Sequence, residues 1–148
     1  MIFLFFLSIG DLMEYNFVKA MELGNNLKLK IYDNSKKMAG DRWLISLIAR
    51  INIPVDATFK LLSDSESCKE EIDRLLGSEV IFEQKRERFF IDEKNKEFVF
   101  NELCESFVNN TISYLSHPDF PKKFVIMKLK EKKKKATLEK AANEYRPE

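Results

Sequence analysis

The sequence predicts an α+β fold: a mostly antiparallel sheet of about four strands, covered on one face by a long helix in the C-terminal half. Three observations carry this. Apolar and polar residues alternate with period two over much of residues 15–53, the mark of half-buried strands. Apolar residues recur at helical spacing between Phe100 and Leu115. Only 4 glycines and 4 prolines punctuate 148 residues, against 13 phenylalanines, so the core rests on aromatic bulk with few special backbone positions.

A chain of this size buries enough surface to fold unaided, and its 45% hydrophobic and 33% charged residues lie in the globular range. A single domain is expected over residues 13–127. Residues 1–12 form an apolar extension, either an over-extended start ahead of Met13 or a segment packed on the domain. "MIFLFFLSI" is too short to span a bilayer, carries no basic residue before it and precedes no small-residue cleavage site. It also lacks the charged face of an interfacial helix, so membrane attachment is not expected. Residues 128–148 read as a basic tail, partly disordered or helical.

Within the domain, "EYNFVKAMEL" and "LKLKIY" suit a pleated surface, with turn chemistry between them at Gly24–Asn26. The second strand sends Leu27, Leu29 and Ile31 to one face and Lys28, Lys30 and Tyr32 to the other. "DNSKKMAGDRW" reads as a connection between strands. Its Asp33, Asn34 and Ser35 bond to nearby backbone, Gly40 permits the chain to return, and Asp41 braces Arg42 or the turn.

"RWLISLIARINIPV" is the central strand, with Trp43, Ile45, Leu47, Ala49, Ile51 and Ile53 on the core face and Arg42, Leu44, Ser46, Ile48, Arg50 and Asn52 on the other. A short helix follows, capped by Asp64 or Ser65, with Ile72, Leu75 and Leu76 as its apolar stripe and Gly77 as its stop. Residues 79–91 form a long strand. Its alternation groups Phe82, Gln84, Arg86, Arg88 and Phe90 on one side, and a bulge would exchange the two sets downstream. The longest helix begins near Asp92 and ends at "SHPDFP", where two prolines in four residues fix a turn.

The composition leaves little room for familiar chemistry. A single histidine, His117, sits before Pro118, so no second histidine serves a metal. Neither GxGxxG nor GxxxxGK[ST] occurs. Cys68 and Cys104 form no zinc pattern and no CxxC motif, and a reducing cytoplasmic setting is the default for such a chain. No cofactor and no enzymatic activity are expected.

What stands out is the placement of cations. With the strands adjacent and in simple register, Lys28, Lys30, Arg42, Arg50, Arg86 and Arg88 share the sheet face opposite the core, together with Tyr32 and Phe82. The segment Lys128–Glu148 holds 8 Lys/Arg and 4 Glu, leaving 17 basic and 20 acidic residues elsewhere. Its densest cluster contains Lys132, Lys133, Lys134 and Lys135. The expected function is a non-enzymatic interaction or regulatory module with a protein partner. The alternative is a nucleic-acid-binding module, in which cations meet phosphates and exposed rings stack on bases.

Overall fold

A computed structural model describes residues 15–55 and 66–145. The apolar extension 1–12 and the helix cap at Asp64 or Ser65 lie outside the described residues. The chain divides into two compact units. One comprises the segment up to Ile51 with Phe82–His117, and the other Asn52–Ile81 with Pro118–Glu148.

The fold is α+β with an antiparallel sheet of five strands. The strands are β1 (Asn16–Glu22), β2 (Lys28–Asp33), β3 (Lys36–Ala39), β4 (Arg42–Pro54) and β5 (Glu79–Asp92). Sheet order is β1-β2-β4-β3, and β5 also pairs with β4. The β1–β2 turn places Asn26 at φ 67°, and the Leu23 N–H bonds to Leu27 O at 2.8 Å.

The extra strand lies within "DNSKKMAGDRW", so the connection is itself mostly sheet. Pairing runs Asp33↔Leu47 and resumes at Lys36↔Leu44 with no residue gained or lost. β2 and β3 are therefore one long strand interrupted at Asn34–Ser35. Polar side chains bridge the gap: Asp33 Oδ1 accepts from Ser35 N–H at 2.9 Å, and Ser35 Oγ accepts from Ser46 N–H at 3.0 Å. The Asn34 N–H bonds to Ser46 O at 2.9 Å. Asp33 and Ser35 thus carry the strand across a break within the segment that reads from sequence as a connection between strands. Gly40 turns the hairpin at φ 59°, a conformation glycine adopts without steric cost.

β4 is the central strand, as its apolar run predicts. Ile45, Leu47, Ala49, Ile51 and Ile53 are buried, but so are Ser46 and Ile48 on the opposite face, both 0% exposed. That face is not the open polar surface expected of a one-sided sheet.

In the first unit, Asp92 caps a 3-10 turn, Glu93–Asn95, by accepting from Lys94 N–H. The helices of the described residues are α1 (Glu66–Leu76), which precedes β5, α2 (Lys96–Leu115) and α3 (Phe120–Glu144). α2 buries Phe100, Leu103, Cys104, Phe107 and Leu115, five of the residues its spacing selects. Tyr114, which continues that spacing, is 59% exposed. In the second unit, α1 stops at Gly77, φ 74°, and packs along α3. Pro121 does not break a helix but occupies the first turn of α3, where a missing N–H costs nothing. Phe120, Phe124 and Val125 are the buried anchors of α3.

Candidate interaction surface

The cations of the sheet are dispersed by the register. Lys30 faces Arg50 directly across β2 and β4, and these two share a face with Tyr32, which pairs with Ile48. Arg50 is committed there: its Nε donates to Glu83 Oε1 at 2.9 Å, its Nη2 also reaches that oxygen, and its guanidinium lies 5.3 Å from the Tyr15 ring and 5.6 Å from the Tyr32 ring. Lys28 pairs with Glu22 at 3.6 Å, and Arg42 lies 3.7 Å from Asp92 and 3.8 Å from Asp41.

Arg86 and Arg88 point the other way. α2 covers the face that carries Ile31, Asp33, Ile45 and Ala49. Lys19 and Asp33, which pair with Ile31 and Leu47, both act on the Cys104 thiol of α2. Arg86 stacks over Phe107 of α2 at 5.5 Å. It also donates to Gln84 Oε1 at 3.0 Å and Lys85 O at 3.2 Å. Arg88 donates to Glu87 O at 2.9 Å and borders a cavity of about 400 Å³ together with Glu102, Leu103 and Glu105 of α2. The expectation of six cations on one face is therefore corrected. Glu83 meets Arg50 while Arg86 meets α2, and alternation along β5 accounts for the division.

The rings expected beside those cations are also engaged. Tyr32 is 8% exposed and Phe82 6%. Phe17 packs edge-on against Tyr32, with centroids 5.8 Å apart. Bases have no open ring to stack on at either position.

A second cavity of about 400 Å³ lies between the sheet and the start of α2, bordered by Asp33, Ser35, Trp43, Lys96, Phe100 and Asn101 among others. The Lys96 ammonium sits 4.3 Å from the Trp43 ring centroid, an attraction to the electron-rich indole face. Sequence reasoning assigned Trp43 to the core strand and missed this pairing, since 53 positions separate the two residues and neither belongs to a motif. Among the described residues, the buried Trp43 Nε1–H has no hydrogen-bond partner, and neither have Asn34 Oδ1 and Ser46 Oγ.

The remaining predicted cations lie on α3. Lys133 pairs with Glu71 of α1 at 3.6 Å, and Lys128 with Glu131 at 3.5 Å. Lys132, Lys134 and Lys135 are exposed. Every residue from Lys130 to Tyr145 is exposed, including Leu138 at 61% and Tyr145 at 89%.

Among the described residues, no cluster of His, Cys, Asp and Glu is assembled that could hold a metal ion, and no helix is long and apolar enough to cross a membrane. Compared with known proteins, the chain matches no family model, no curated protein and no solved structure.

Proposed function

We propose that this protein is a non-enzymatic interaction module whose contact element is the exposed half of α3, and that its partner is polyanionic. The supporting observation is the unbroken exposure from Lys130 to Tyr145. A helix that buries no face gains nothing from tertiary packing there, which is where most helical stability in proteins arises. Yet this half is rich in lysine: Lys132–Lys135 are consecutive, and among the described residues only Lys133 of the four pairs with an acid. The sheet cations are a poorer contact element, because Lys28, Arg42 and Arg50 already face acids and Arg86 lies against α2.

The test compares the native chain with Lys132→Gln/Lys133→Gln/Lys134→Gln/Lys135→Gln on immobilised polyglutamate, heparin and duplex DNA at low salt. Glutamine keeps a helix propensity close to that of lysine, and circular dichroism verifies that the helices persist. The native chain is expected to be retained by at least one polyanion and the variant released. Retention of neither chain by any of the three would end this reading.

A further inference from the structure

Resting on the reading of α3 as the contact element, we infer that its partner is duplex DNA, with the turn Lys132–Lys135 seated in the major groove. An α-helix turns about 100° per residue, so with Lys133 held by Glu71 of α1, Lys132, Lys134 and Lys135 fan over a broad arc on the side away from α1. A flat acidic surface would meet only part of that arc. A groove receives it between two walls of phosphates, and the B-form major groove, roughly 12 Å wide, admits an α-helix.

The other classes of partner fit less well. A protein groove reads a helix through apolar anchors three and four residues apart. Leu138, Ala141 and Tyr145 have that spacing, but its continuation into the cationic turn meets Lys134 and Glu131. An anionic membrane surface would likewise need an apolar face to receive. Phosphates need none. The exposed half of α3, Lys130–Glu144, is about 22 Å long at 1.5 Å per residue, enough to follow a groove. Lysines are compact point charges on flexible stems rather than rigid forks, and contacts to phosphate carry no sequence information, so binding that rests on them is independent of sequence.

The ion pairs of α3 rank its lysines. Lys133 is held by Glu71 at 3.6 Å, while among the described residues no acid lies within ion-pair distance of Lys132, Lys134 or Lys135. Each lysine that meets a phosphate contributes about one unit to the slope of log affinity against log salt.

The experiment measures fluorescence anisotropy of a labelled B-form DNA duplex with the full-length chain over a salt series. Lys132→Gln, Lys134→Gln and Lys135→Gln are each expected to reduce the slope by about one unit, and Lys133→Gln by less. Glu71→Gln, which releases Lys133, is expected to strengthen binding and steepen the slope. If polyglutamate or heparin binds and duplex DNA does not, this inference fails while the proposed function stands. Equal affinity for single-stranded DNA or duplex RNA, whose deep, narrow major groove does not admit a helix, would overturn the groove seat. So would preferential binding to vesicles of anionic lipid, or a slope unchanged by the lysine substitutions. Failure of every polyanion to bind would remove both readings together.

Discussion

The side-chain amide of Asn25 donates to Leu115 O at 2.8 Å, joining the β1–β2 turn to the end of α2 across 90 positions of sequence. The same Nδ2 reaches His117 O at 3.0 Å, and Oδ1 accepts from Leu27 N–H at 3.3 Å. One side chain thus shapes its own turn and binds one carbonyl in the last turn of α2, where intrahelical partners run out, and another just beyond it.

Asn25→Ala is therefore expected to destabilise the fold by about 1–2 kcal/mol. Asn25→Asp should cost more, because it loses both donations and sets a negative charge at the negative end of the helix dipole. Trp43 is the only tryptophan, so urea unfolding followed by its fluorescence measures both. Equal stability of the native and Asn25→Ala chains would refute the bridging role.

A second prediction concerns Lys30 and Arg50, which face each other across β2 and β4. Like charges in direct opposition are unfavourable, and Glu83 offsets this by pairing with Arg50. Glu83→Gln should then destabilise by about 0.5–1 kcal/mol, and Lys30→Glu in the same chain should recover most of the loss. Added salt should shrink both effects. A double-mutant cycle with no coupling between positions 30 and 83 would count against the arrangement.

Much of this fold was legible from local signals. β2, β4 and the buried stripe of α2 follow from spacing alone, because one face of each is covered and burial enforces a period. Gly40 and the Gly24–Asn26 turn announced themselves through residues that tolerate left-handed backbone. The rest depended on pairings that local spacing does not encode. β3 stayed hidden because Lys36–Ala39 is exposed at every position, so no core imposes alternation on it. Arg86 and Arg88 were placed on the wrong face because β5 was oriented by its charges. Phe82 was the better guide, since its burial sets the facing of the whole alternation. The candidate contact residues on α3 were visible as a lysine cluster, but exposure on all sides of a continuous helix was not.

Cys104 carries a pH prediction. The thiol is 4% exposed, and its pKa is raised, first by burial and then by the Asp33 carboxylate, with Lys19 opposing. A folded-state pKa above the unfolded value favours the protonated thiol, so this contribution to stability is complete below the unfolded pKa. It is lost as pH rises through the folded one. In a Cys68→Ser background, stability should fall as pH rises above roughly 8.5, and Cys104→Val should flatten that part of the profile. Iodoacetamide should modify Cys104 slowly in the native chain and quickly in urea. Rapid native modification would contradict the burial.

Phe90 offers the most selective test of backbone geometry. Its φ is 54°, a left-handed conformation that costs a residue with a Cβ about 1–2 kcal/mol, and its side chain is 70% exposed, so little burial offsets the cost. It is the irregularity that the sequence of β5 allowed for. Phe89, its neighbour, is 57% exposed without positive φ, which makes it an internal control. Glycine at either position loosens the unfolded chain by a similar amount, but only at position 90 does it also relieve strain. Phe90→Gly should therefore be more stable than Phe89→Gly by about 1 kcal/mol, measured by the midpoint of urea unfolding. If the two variants unfold together, or if Phe90→Gly is the weaker, the left-handed backbone at position 90 stores no strain.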